Sequence, residues 1–151
     1  MRRVGVLGVV VAMLVLCVGS FVLAARPVAQ AHGEFWTDLH IAGQWFDMQF
    51  AFNVQDRGAE GDHGTLSMRI FDHWTAGLVA VGVSTAIDDV FLEDGWIVFY
   101  AVLRFPRFDD TYFLPLNLPL YEFRAFDGGD DDLFKMLAVP LPIYKGNIVI
   151  R

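Results

Sequence analysis

From Phe46 to Val54 every second residue is apolar: Phe46, Met48, Phe50, Phe52 and Val54, with Asp47, Gln49, Ala51 and Asn53 between them. A period of two sends successive side chains to opposite faces of an extended chain, which predicts a strand with one face buried and one wet. After a glycine-rich, charged loop over 55–64, Leu66, Met68 and Ile70 alternate with Ser67 and Arg69 in a second strand. A turn over 72–77 leads to a third. There Val79, Val81, Val83 and Ile87 share one face, and Ala80, Gly82, Ser84 and Ala86 form a small-residue face. Small residues in a row predict close approach by another layer, or the bend of a barrel wall.

Segments 90–92 and 96–103 flank Glu93-Asp94-Gly95, a hairpin signal because Asp-Gly readily takes positive φ. The Trp96–Phe105 stretch is apolar on both faces, as a central strand would be. Pro106, Pro115 and Pro119 cannot donate to a ladder, which predicts a loop or edge strand over 105–119. Tyr121–Phe126 and Leu133–Val139 read as another hairpin around an acidic turn, and Ile148 and Ile150 as a short final strand. No segment has helix length and helical periodicity. The fold class is therefore all-β: a single antiparallel sandwich or small barrel of about seven to nine strands, following an N-terminal signal segment. Periodicity leaves sandwich and barrel both open.

The beginning of the chain has a different character. Arg2 and Arg3 precede an apolar run from Val4 to Ala25, and Ala29-Gln30-Ala31 offers an A-x-A processing site. That order predicts an export signal over 1–31, with an uncleaved membrane anchor as the alternative reading, and a β-domain over 32–151. Localisation is then extracellular, cell-surface or periplasmic, and any membrane contact runs through the N-terminal segment alone. Removing 31 of 151 residues leaves 120, the size of one domain. The one cysteine, Cys17, lies inside the signal, so no disulfide is expected in the domain.

Arg2, Arg3 and Arg26 precede the domain, so the 11 basic residues fall to 8 against 18 acidic ones, a formal charge of −10. Such a domain repels nucleic acid and anionic lipid, which removes both from the expected partners.

Four segments carry a resemblance: Phe50-Ala51-Phe52-Asn53-Val54, then Asp72-His73, then the acidic turn before Leu133-Phe134, then Gly146-Asn147-Ile148-Val149-Ile150. In that order they resemble a family of small secreted bacterial β-domains without assigned activity, over residues 45–151. The resemblance implies an extracellular β-module and no enzyme class. An extracellular or envelope partner is the expectation that follows from it.

Two sets of residues are candidates for chemistry. Cleavage after Ala31 would make His32 the amino terminus. Its α-amine and ring could then chelate copper, with His40, His63 or His73 as a further ligand. His32-Gly33-Glu34 is similar to the mature start of copper monooxygenase subunits and polysaccharide monooxygenases, though nothing after Glu34 is. The turn 127–132 supplies Asp127, Asp130 and Asp132 as hard oxygen donors for calcium, without the spacing of an EF-hand. The structural alternatives are a solvated hairpin turn and, at Asp72-His73, an aspartate bonding nearby amides. No nucleophile elbow, phosphate loop or zinc motif occurs, so no catalytic residue is assigned and no cofactor is required. The expected function is a non-enzymatic exported interaction module. The alternatives are a small copper protein and a barrel holding a small apolar ligand.

Overall fold

The computed structural model describes residues 29–151, so all but the last three residues of the expected signal segment over 1–31, with Cys17, lie outside the described residues. Eight antiparallel strands, each hydrogen-bonded to the next in sequence and the last to the first, close an up-and-down barrel. They are β1 (Ala29–Ile41), β2 (Gln44–Asp56), β3 (His63–Asp72), β4 (Leu78–Glu93), β5 (Trp96–Phe108), β6 (Tyr121–Phe126), β7 (Leu133–Met136) and β8 (Val139–Ile150). Closure settles the architecture as a barrel, and it removes the free edges that a sandwich would leave.

The alternation read in the sequence is the inside and outside of this wall. Met48, Phe50 and Val54 on β2 and Ile70 on β3 are wholly buried, with Met68 nearly so, while Asn53, Ser67 and Arg69 face solvent. β4 shows why small residues lie along one of its faces. Gly82 points inward, and a Cβ there would come within 2.8 Å of both Met68 and Phe105.

One strand is longer than the pattern indicated. The segments around Val79–Ile87 and Val90–Leu92 form a single β4, with register shifts against β5 and a left-handed Asp89 (φ 45°). The Asp62 carboxylate accepts a hydrogen bond from the Val90 amide at 2.6 Å and ties the bulge to the 57–62 loop. Another strand continues past its proline. β5 runs through Pro106 to Phe108, where its register with β4 slips and where β6 no longer pairs with it. A missing donor costs little at such a place.

β1 is the strand that the pattern did not reveal. Its inward residues include Ala29, Ala31, Gly33, Phe35 and Thr37, too small at first to show an apolar period. The smallness has a cause. A Cβ on Gly33 would sit 2.7 Å from the Phe52 ring and 3.1 Å from Ile148, so large side chains on the flanking strands occupy that space.

The two ends of the barrel differ. The terminal end holds the start of β1, the end of β8, and the loops 57–62, 94–95 and 127–132. It carries Asp56, Glu60, Asp62, Glu93, Asp94 and the four aspartates of the 127–132 turn. The opposite end holds the turns 42–43, 73–77 and 137–138, and a strap over 109–120 between β5 and β6.

Candidate functional site

Whether this barrel has a lumen decides what it can hold. Phe35, Phe50, Phe52, Phe99, Phe123 and Phe134 all point inward. Their ring centroids lie 4.7 Å (35–134), 5.1 Å (50–134), 5.5 Å (52–99) and 5.3 Å (99–123) apart. At those separations the rings stack or meet edge-on and fill the axis. The interior is thus a packed core from the terminal end to mid-barrel, and the room left for a guest lies beneath the strap.

The strap is held at three points. The Asp109 amide donates to the Val79 carbonyl at 2.8 Å. The Tyr112 ring packs edge-on against Phe46 at 5.9 Å, and its hydroxyl faces Asp72. Leu114 turns inward and is 8% exposed, so it closes the barrel mouth as a plug. Burial, followed by the charge of Asp72, holds the Tyr112 phenol above its ordinary range.

Asp72-His73 is a turn built by a carboxylate. Asp72 Oδ1 accepts hydrogen bonds from the amides of Trp74 (3.0 Å) and Thr75 (2.7 Å), which matches the structural alternative read from the sequence. His73 Nδ1 lies 2.9 Å from Asp47 Oδ1 on β2, and its ring meets Trp74 edge-on.

The candidate copper ligands are dispersed. His32 lies on β1 opposite Asn53, and His63 begins β3 opposite Gln55, so strand β2 separates them. His40 stacks on Trp45 at 4.6 Å near the strap end, and His73 sits in the turn at that same end. Among the described residues no three His, Cys, Asp or Glu side chains gather as a metal site. The expected processing point after Ala31 falls within β1, where Ala31 is fully buried and Gln30 exchanges backbone hydrogen bonds with Arg151 at 3.0 and 2.8 Å.

Two of the three candidate calcium ligands accept backbone hydrogen bonds. β7 begins only at Leu133, which pairs with Pro142, yet β8 continues to Ile150, so the last amides of β8 have no strand beside them on that side. Two carboxylates take its place. Asp132 Oδ2 accepts from the Ile148 amide and its Oδ1 from Gly128. Asp127 Oδ2 accepts from Ile150 at 3.2 Å and its Oδ1 from Gly129 at 3.1 Å. Asp130 is exposed and lines an open groove with Asp131, Tyr144 and Lys145.

Three carboxylates titrate below their usual range. The Thr75 amide holds Asp72 down, the Thr111 hydroxyl holds Asp109 down, and the Arg124 guanidinium holds Glu122 down. A carboxyl depressed in the folded state stabilises the fold above its unfolded pKa, near 4, and loses that contribution as pH falls through the folded value. Urea midpoints are therefore expected to hold steady from pH 7 to about pH 5 and to fall below about pH 4. Asp72→Asn should lower the neutral-pH midpoint and flatten part of the acid decline. An unaltered acid profile in that variant would contradict the turn's role.

The four segments behind the family resemblance all have structural positions. They are the inward row of β2, the Asp72 turn, the carboxylates beside β8, and the β8 seam against β1. The chain matches no family model, no curated protein sequence and no solved structure.

Proposed function

We propose that this chain is a non-enzymatic, exported recognition module that binds a partner protein through the strap end of its barrel. One observation carries the reading. Of the thirteen large apolar side chains exposed among the described residues, eight lie on the strap-end turns, the strap or the strand ends beside them. They include Trp74 (79% exposed) and Phe113 (70%), with Trp45, Leu118, Leu120 and Leu137. Single exposed apolar residues are ordinary, whereas a concentration at one end of a small domain marks a contact surface. Tryptophan and phenylalanine supply much of the binding energy at such surfaces.

Charge narrows the partner. Asp38, Asp47, Asp72, Asp109 and Asp110 stand at this end against Arg104 and Arg107. The complement is an apolar protuberance ringed by basic residues, on a protein outside the cytoplasm. Because Ala29, Arg151 and most of the acidic loops sit at the far end, a tether leading into Ala29 would leave the strap end free.

The test is a photo-crosslinking residue at position 113, and separately at Phe91 near the terminal end, in the native host. The expected result is a defined crosslink from 113 alone. Binding to that partner, once purified, should weaken at least tenfold in Trp74→Ala/Phe113→Ala and stay unchanged in Phe91→Ala. A crosslink from 91, or equal losses in both variants, would remove the strap end from the function.

A further inference from the structure

Beneath the strap the phenylalanine filling stops and leaves a cavity of about 120 Å³. Leu39, Ile41, Met48, Ile70 and Met136 form its walls, and Leu114-Pro115-Leu116 roofs it. We propose that this cavity is a binding site for a small neutral apolar group, the size of one aromatic ring or a branched alkyl end.

The chemistry of the lining selects that class. No charged side chain lines the cavity. The one hydroxyl, amide or charged group among the lining side chains is the Tyr121 hydroxyl, which already accepts a hydrogen bond from the Leu118 amide at 3.4 Å. A buried water needs two to four polar partners, and an apolar cavity of comparable volume stays dry and takes up benzene or xenon. An anionic ligand is disfavoured twice, by the missing cation in the lining and by the aspartates of this end. A long chain is excluded by the ring stack below, which closes the axis.

Access and adaptability are also built in. Leu137 and Val139 line the cavity and are 40% and 47% exposed, so they connect it to solvent at the β7–β8 turn. Met48 and Met136 are unbranched and can repack around guests of different outline. The mouth of a small barrel is a common place for such a site.

The group can arrive as a free molecule or as an apolar side chain of the partner, the latter resting on the recognition reading above. The experiment uses residues 29–151 with their N-terminal segment replaced by a soluble tag and the methionine methyls labelled with ¹³C. Toluene and N-acetylphenylalanine amide are titrated separately while the Met48, Met136 and Met68 methyl resonances are followed. Toluene is expected to shift Met48 and Met136 saturably and to leave Met68, outside the lining, nearly unmoved. Val139→Phe fills the cavity from its exposed side and should weaken toluene at least tenfold. Leu116→Ala, which enlarges it, should admit the bulkier isopropylbenzene. Binding of toluene without the amide assigns the site to a free molecule, and binding of both assigns it to a side chain. Unmoved Met48 and Met136 methyls at saturating toluene, or equal affinity in wild type and Val139→Phe, would overturn the site whatever becomes of the recognition surface.

Discussion

Asp132→Ala is expected to lower the unfolding free energy by about 2 kcal/mol, chiefly from the loss of the part-buried hydrogen bond from Ile148 to an ionised acceptor, with a smaller share from the exposed one to Gly128. Asp132 holds the Ile148 and Gly128 amides, and Ile148 is nearly fully buried, so water does not readily replace the carboxylate. Asp127→Ala is expected to cost less, since its bonds to Ile150 and Gly129 are exposed. The neighbouring seam offers no slack. Gly146 has φ 99°, and a Cβ there would overlap the Glu34 carbonyl and the Phe35 backbone, so β8 already lies hard against β1. Urea unfolding with and without millimolar calcium checks the assignment. Equal losses under both conditions fit a carboxylate that replaces a strand. A wild-type midpoint that rises with calcium, and a variant that does not respond, would restore the calcium reading.

A chain that begins at His32 is expected to be about 2 kcal/mol less stable than one beginning at Ala29. The truncation removes the buried Ala29 and Ala31 and the mutual bonds of Gln30 with Arg151. Those bonds and the newly exposed ends of Val54 and Ile150 outweigh the freedom regained by three residues. The proposal that follows is that export leaves a terminus before Ala29, with His32 inside β1. An intact mass of the exported protein locates the terminus, and paired unfolding curves measure the difference. A terminus at His32 with undiminished stability would return the α-amine to the list of copper ligands. A terminus before Ala29 leaves His32 with its ring alone.

Much of the wall was legible before any coordinates. β2, β3 and β6 follow from alternation, because one face of each strand meets the core and the other meets water. On β4 the small face, Ala80 and Gly82, is the inward one, while Val81 and Val83 of the larger face line an outer groove. β1 escaped for a reason visible only in the barrel: Phe52 and Ile148 fill the space over Gly33, so the strand needs small residues where a period-two search looks for large ones. The same run of small residues reads as a processing site, and two readings then compete for Ala29-Gln30-Ala31. Pro106 left a loop and an edge strand both open, and the second fits: β5 runs on to Phe108 with a slipped register beside an unpaired edge.

The candidate sites divide in the same way. Composition located the aspartates of the 127–132 turn, but only the mismatch between a four-residue β7 and a twelve-residue β8 gave two of them amides to hold. The histidines were visible as residues, while their separation around the wall depended on strand order.

By itself the sequence determined that the chain is all-β, acidic, and rich enough in aromatics to build one core without disulfides, since these depend on local alternation and residue content. Closure into a barrel, the filled axis, the strap with its cavity, and the gathering of exposed aromatics at one end were decided by tertiary structure. Each depends on which strands pair at long range and in what register, and no local period encodes that.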